Sequence, residues 1–178
     1  MVARSLLFFI LIAQLGAASY GEEVSSKEYG FSVTTPESVD WKVLQNGASG
    51  QGKNRSYFLV LVNSREQKNL SYMSLPMGPD ATGKKAAKTL DDVKDGFEKG
   101  FLKKADEKVS SADIELAGQK AYRMVALKKL PSGEERHLVN IIFVANGRTN
   151  SIAGMTKVPW DKDEILARFL DSLKIDER

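Results

Sequence analysis

The stretch KAYRMVALKKLPSGEERHLVNIIFVANGRTNSIAGMT, residues 120–156, contains three extended apolar runs separated by two short turn sequences. The first turn is PSGEE, residues 131–135, and the second is Asn146-Gly147. An Asn-Gly pair between extended runs favours a tight hairpin because both residues tolerate positive φ. A further extended run, ADIELAG at residues 112–118, precedes this stretch. The region therefore predicts an antiparallel meander of four strands.

A predicted helix precedes the meander in TLDDVKDGFEKGFLKK, residues 89–104. Thr89 and Asp92 have the spacing of a capping box at its start. Gly96 and Gly100 lie beside the apolar stripe, and we expect close approach of the helix to a sheet to explain them, since glycine weakens a helix. The stripe itself recurs at spacings of three and four, which is the period of an amphipathic helix, and consists of Leu90, Val93, Phe97 and Phe101.

A second helix is predicted to follow the meander, near the end of the chain. It begins near Asp161, whose side chain can cap the first turn together with Glu164. Its apolar face is predicted to be buried and comprises Ile165, Leu166, Phe169, Leu170 and Leu173.

The first part of the chain adds further predicted strands. EYGFSVTTPESVDWKVL, residues 28–44, alternates apolar and polar residues around Pro36, which predicts two short strands joined by a turn. The run RSYFLVLVN, residues 55–63, is apolar on both faces and so predicts a central, fully covered strand. We therefore expect an α+β fold in which helices flank both faces of a central antiparallel sheet, an α/β/α sandwich.

The chain opens with the layout of a secretory signal peptide. Arg4 supplies a basic start, an apolar run extends from Leu6 to Ala13, and small residues follow. This run is shorter than the roughly 20 residues of a membrane-spanning helix, and the sequence has no cysteine that could carry a lipid anchor. We predict a signal peptide over residues 1–18, cleaved near Ala18, and a single domain over residues 19–178 without a transmembrane segment.

The charge balance argues against a nucleic-acid partner. The chain has 26 Lys and Arg against 23 Asp and Glu, a net charge of +3, and only 8% aromatic residues. Dedicated nucleic-acid binders have a dominant basic face, and single-strand binders need exposed rings beside it. We therefore predict no nucleic-acid partner.

Several short motifs together resemble the PsbP-like family, which is named for an extrinsic, lumenal subunit of photosystem II. The similarity extends over residues 27–175 and implies a central antiparallel sheet flanked by helices, a non-enzymatic auxiliary or binding role, and no shared catalytic residues. The metal association of the photosynthetic member does not carry over, because no matching ligand cluster is present. The motifs are YGFSVTTP (29–36), LAGQKAYR (116–123), PSGEE (131–135), ANGR (145–148) and FLDSLK (169–174).

GPDATGKK, residues 78–85, is one residue short of a nucleotide-binding P-loop. Lys85 occupies the place of the hydroxyl that would bind magnesium, and Pro79 removes an amide donor from the loop. A P-loop also joins a parallel strand to its crossover helix, a pattern that this chain lacks. We interpret residues 78–85 as a connector, and we expect no cofactor.

The other candidate residues are also better explained by structural roles than by catalysis or metal binding. His137 is the only histidine, which excludes the usual zinc sets, and it falls at the start of a predicted strand. The acidic pairs in DKDE (161–164) and at Asp91 and Asp92 suit the first turns of helices. Trp41 and Trp160 are expected in the core or at its rim. The charges around the first helix favour a solvated face: Lys84, Lys85, Lys88, Lys94, Lys99, Lys103 and Lys104 against Asp91, Asp92, Asp95 and Glu98.

Two functional hypotheses remain, and neither assigns a catalytic, cofactor or metal residue. The first is a secreted or periplasmic, non-catalytic module that binds another protein or a small ligand in the cell envelope. The alternative is an envelope-acting hydrolase that uses acidic residues which spacing alone does not identify.

Overall fold

The computed structural model describes residues 21–36, 40–77 and 89–176. Within these ranges the chain forms ten β-strands and two α-helices. They are β1 (Glu23–Ser26), β2 (Phe31–Thr34), β3 (Trp41–Ser49), β4 (Ser56–Asn63), β5 (Lys68–Pro76), α1 (Leu90–Leu102), β6 (Glu107–Leu116), β7 (Gln119–Lys129), β8 (Glu135–Ala145), β9 (Arg148–Thr156), α2 (Glu164–Asp171) and β10 (Lys174–Ile175).

Seven strands form one antiparallel sheet in the order β3-β4-β5-β9-β8-β7-β6. Strands β6 to β9 make the predicted meander, and the hairpin between β8 and β9 turns at Asn146 and Gly147, where φ is +54° and +65°. The pairing of β5 with β9 joins the first half of the chain to the meander. The hairpin prediction from Asn-Gly is therefore confirmed.

A second, three-stranded antiparallel sheet has the order β1-β2-β10. It packs with α2 on one face of the large sheet, where Phe31, Val33 and Leu166 are fully buried. From the large sheet, Leu59 and Tyr72 meet this layer, and the rings of Phe31 and Tyr72 lie 4.2 Å apart between centroids. This face holds the main hydrophobic core.

The prediction of helices on both faces of a central sheet is wrong. One face is covered by a second sheet together with the eight-residue α2, and the fold is mostly β. Strand β1, Glu23–Ser26, belongs to this second sheet although its sequence is mostly polar. Alternation of apolar and polar residues indicates that a strand has one buried side, but it does not indicate which sheet the strand joins.

The prediction that β4 is covered on both faces is also wrong. Tyr57, Leu59 and Leu61 are buried in the main core, whereas Phe58 and Val60 on the other face are only partly covered. The apolar residues on this second face form part of a surface that α1 leaves open.

Candidate functional site

Helix α1 lies across the second face of the large sheet, over β7 and β8. The predicted capping box fixes its start: the Asp92 N–H donates to Thr89 Oγ1 over 3.3 Å, and the Thr89 N–H donates to Asp92 Oδ2 over 2.8 Å. Val93 is the helix residue that is buried, against Tyr122 and Ile142. The helix therefore occupies the β7 side of this face.

Polar contacts hold α1 on that side. Tyr122 donates its hydroxyl to Glu98 over 2.9 Å, and Glu98 also forms an ion pair with Lys108 of β6. Lys94 pairs with Asp113 of β6 over 2.7 Å, and its Nζ lies 4.0 Å from the Tyr122 ring centroid. The hydrogen bond from Lys108, followed by that from Tyr122, lowers the pKa of Glu98 below its ordinary value.

A cleft of about 660 Å³ lies between α1 and the part of the sheet formed by β5, β9 and β8. The helix side is formed by two aromatic rings and two glycines, and the sheet side is formed mostly by apolar side chains. The lining includes Asn69, Met73, Leu75, Asp92, Val93, Gly96, Phe97, Gly100, Phe101, Lys104, Leu138, Asn140, Thr149 and Met155.

The two helix glycines border this cleft and are not at a close approach to the sheet. A Cβ atom built on Gly96 or Gly100 would meet no atom of the described residues within 4 Å, apart from the helix's own nearby backbone. The prediction that these glycines allow tight packing is therefore wrong. They instead leave space on the side of α1 that faces the cleft.

Few polar groups line the cleft, and several are already engaged. Asn140 accepts a hydrogen bond from Ser151 Oγ over 2.7 Å, and Thr149 Oγ1 lies 3.2 Å from Met77 Sδ. Asp92 belongs to the capping box at the start of α1. Lys104, at the other end of the helix, is exposed and forms no ion pair within the described part of the chain.

The other residues considered from the sequence do not lie in this cleft. The P-loop-like segment, residues 78–85, and the leader, residues 1–18, lie outside the described residues. His137 is half-buried near the start of β8, opposite Thr156 of β9 and Leu127 of β7. Trp160 packs against the main core, with the Arg123 guanidinium 4.1 Å from its ring, and Trp41 packs at the edge of that core.

The acidic pairs belong to helix starts, as the sequence predicted, but the cap of α2 is Asp163 and not Asp161. Asp163 accepts the Leu166 N–H over 3.0 Å and pairs with Lys68 over 3.2 Å. Residues 160–162 form a short 3-10 turn before the helix.

In residues 21–36, 40–77 and 89–176, no group of three or more His, Asp or Glu side chains could hold a metal ion.

The lysines around α1 have different roles. Lys94 is paired with Asp113, whereas Lys99, Lys103 and Lys104 are exposed. Lys84, Lys85 and Lys88 fall outside the described residues.

Sequence reasoning missed the cleft. Its signals were present: two glycines beside an aromatic stripe in α1, and apolar residues on the second face of β5 and β9, such as Met73 and Met155. A glycine in a helix looks the same in the sequence whether it allows close packing or leaves a cleft. Only the position of the helix in the structure distinguishes the two cases.

Among the described residues, no helix combines the length and apolar character needed to cross a membrane.

These features define a class of fold: a seven-stranded antiparallel sheet, covered on one face by a small sheet and a helix, with a second helix beside a cleft on the other. The fold is similar to the solution structure of cyanobacterial PsbP (CyanoP) from Synechocystis sp. PCC 6803, with a TM-score of 0.57 and 16% identity over 92% of this chain and 98% of that one. The chain therefore has a PsbP-like fold, as the motifs suggested.

A crystal structure of a protein from Bacteroides thetaiotaomicron is also similar, with a TM-score of 0.51 and 10% identity. The match covers 89% of this chain and 49% of that one. No protein-family model matches the sequence, and neither does any curated protein. At these identities the comparisons concern the fold alone.

Proposed function

We propose that this protein is an exported, non-catalytic binding module and that its ligand occupies the cleft beside α1. The observation that carries this proposal is the cavity itself. Its volume of about 660 Å³ falls within the range of roughly 300 to 1,000 Å³ that is typical of small-molecule sites. Such sites combine a mostly apolar lining with a few polar groups that orient the ligand, as this cleft does.

The shape of the cleft is supported by how α1 is attached. The ion pairs of Lys94 and Glu98 with β6 hold the helix towards the β7 side, away from β5. Gly96 and Gly100 then present no side chains to fill the remaining space. A ligand that covered the half-exposed apolar residues would gain about 25 cal/mol for each Å² removed from water.

A non-catalytic role is the simpler interpretation of the polar groups in the cleft. The carboxylate in the lining is Asp92, which already accepts the Thr89 N–H and hydroxyl. Asn140 and Thr149 have protein partners as well. The hydrolase alternative requires a carboxylate free to act on a substrate, and turnover that disappears in Asp92→Asn would favour it over our proposal.

Export and location remain predictions from the first 18 residues, supported by analogy with the extrinsic role implied by the resemblance. The partner is then a small ligand or another protein outside the cytoplasm. Mass spectrometry of the secreted or periplasmic fraction should detect a chain that begins after Ala18. A full-length chain retained in the membrane pellet would contradict this prediction.

The binding site can be tested with a neutral apolar fluorophore, N-phenyl-1-naphthylamine, titrated against the purified protein. We expect saturable fluorescence enhancement in the wild type and at least about tenfold weaker binding in Gly100→Leu, because the new side chain occupies the cleft. Asp95→Leu is the matched control, since Asp95 is exposed on α1 and does not line the cleft.

Two results would refute the proposed site. One is the absence of saturable binding in the wild type. The other is an equal loss in Gly100→Leu and Asp95→Leu while both variants remain folded, since that would place the fluorophore elsewhere on the protein.

A further inference from the structure

The two ends of the cleft differ in charge. α1 runs along β7 from Tyr122 towards Leu127, because Lys94 pairs with Asp113, which is opposite Tyr122, and Glu98 pairs with Lys108, which is opposite Ala126. Beyond the end of α1, the Asp106 N–H donates to the Leu127 carbonyl over 2.9 Å. Lys104 lies at this second end. The first end instead has the carboxylate of Asp92.

Two acidic residues of this region, Glu98 and Asp106, pair with other cations. Glu98 is paired with Lys108 and accepts the Tyr122 hydroxyl. Asp106 pairs with Lys128 over 3.3 Å and accepts the Lys129 N–H over 2.6 Å. Within the part of the chain that the structure describes, Lys104 is thus the cation that borders the cleft without a carboxylate partner.

The sheet floor of the cleft is mostly apolar, with Asn69 at the Lys104 end, Asn140 further along and Thr149 opposite Leu75. Asn69 stands beside Met155, which is paired with Leu138, and the floor then passes Met73 to reach Leu75. From Asn69 to Leu75 this is six residues along β5, or roughly 20 Å. A floor of this length suits an elongated ligand.

We propose that the cleft selects single-chain amphiphiles with an anionic headgroup, the head beside Lys104 and the tail between α1 and the floor formed by Met73 and Leu75. This inference rests on the proposed function and assigns its ligand class. A free fatty acid and an alkyl phosphate monoester share this chemistry. A cationic or neutral head would lack the attraction to Lys104.

The helix dipole opposes this arrangement but is the smaller effect. The C-terminal end of a helix has a partial charge of about −0.5, which repels an anion. Lys104, which lines the cleft at that end, contributes a full positive charge. An exposed ion pair contributes little, so we expect the head to change affinity by about threefold to tenfold, with the tail supplying most of the binding.

The test is displacement of N-phenyl-1-naphthylamine by four ligands that share one alkyl chain, each below its micelle concentration. They are dodecanoate, dodecyl phosphate, dodecanol and dodecyltrimethylammonium. We expect dodecanoate or dodecyl phosphate to bind at least about threefold more tightly than dodecanol, and the cation to bind most weakly. The better of the two anions identifies the headgroup chemistry, and added salt should reduce its advantage.

Lys104→Gln should remove the advantage of the anions over dodecanol and leave dodecanol binding unchanged. Lys99→Gln is the control: Lys99 is exposed on the same helix but does not line the cleft, so this variant should keep the preference. Equal affinity for the four ligands would overturn the inference, and so would a preference for the anions that persists in Lys104→Gln. In either case, saturable binding of the fluorophore would still support the cleft as a binding site. Absence of fluorophore binding would instead refute the proposed function itself.

Discussion

The two faces of the seven-stranded sheet are built from similar residues but packed differently. On the face under α2 and the small sheet, Phe31, Tyr72 and Phe169 are at most 1% exposed. On the face under α1, Val93 is the buried residue of a thirteen-residue helix, and Phe97 and Phe101 are only half-buried beside a cleft. The first face is therefore closely packed, whereas the second leaves apolar side chains partly exposed.

The difference arises from how many elements cover each face. The closed face is covered by three strands and α2, whose side chains interdigitate with those of the sheet. Among the described residues, α1 is the element that covers the other face, and its polar contacts tie it to the β6 and β7 side. A single helix about 10 Å wide covers only about two strands, so β5 and β9 remain partly open.

The largest expected effect is on the closed face. Phe169→Ala should lower the free energy of unfolding by about 3 to 5 kcal/mol, because it removes a fully buried ring and leaves a cavity. Urea titration followed by far-UV circular dichroism measures this loss. A loss under about 1 kcal/mol would show that the closed face is not the main core.

Truncation of the corresponding ring on the open face should cost much less. Phe97→Ala is expected to lower the free energy of unfolding by about 1 to 2 kcal/mol, since Phe97 is half-buried and one side of its ring borders the cleft. The same urea titration applies. A loss equal to that of Phe169→Ala would mean that both faces are packed alike.

Glycine substitutions should have opposite signs on the two faces. Gly154→Ala is expected to destabilise by about 1 kcal/mol or more, because its Cβ would lie 3.0 Å from Leu70 and 3.3 Å from Val139. Gly96→Ala should stabilise by about 0.5 to 1 kcal/mol, because its Cβ enters open space and alanine favours the helix. Thermal unfolding of both variants measures the signs, and destabilisation by Gly96→Ala would contradict the open cleft.

The smallest expected effect concerns the attachment of α1 and depends on pH. Glu98→Gln should lower the free energy of unfolding by about 0.5 kcal/mol near pH 7, since it removes the charge that pairs with Lys108. Folding lowers the pKa of Glu98 from 4.5, so this contribution is present above the ordinary pKa and is lost as the pH falls through the lowered value.

Urea titrations of the wild type and Glu98→Gln at pH 7 and at successively lower pH would show this dependence. The difference between the two proteins should shrink once the pH falls below 4.5. A difference that stayed constant into acid would show that the ion pair does not hold α1.

Local signals predicted the elements well where the relevant contacts are close in sequence. The Asn146-Gly147 hairpin, the Thr89 and Asp92 capping box and the amphipathic character of both helices all depend on residues within a few positions of each other. The cap of α2 is Asp163 and not Asp161, two residues earlier; both acids precede the same apolar stripe, so the sequence did not distinguish them.

Predictions that concerned layers failed. The strand with Phe31 and Val33 alternates as predicted, yet it belongs to a second sheet completed by β10, more than 130 residues away. The run from Tyr57 to Val62 is apolar on both faces, but nothing in it reports whether a covering layer exists. The cleft, which is the candidate site, was missed for the same reason.

The sequence by itself determined the strands of the meander, the two amphipathic helices and the motifs that resemble the PsbP-like family. These depend on residue periodicity, turn chemistry and capping, which act over a few residues. Only the tertiary structure decided that a second sheet covers one face, and that α1 leaves a cleft beside Gly96 and Gly100 on the other. Whether a face of the sheet is covered depends on contacts between segments that are distant in sequence. The periodicity of apolar residues is the same whether those residues contact another part of the protein or a ligand.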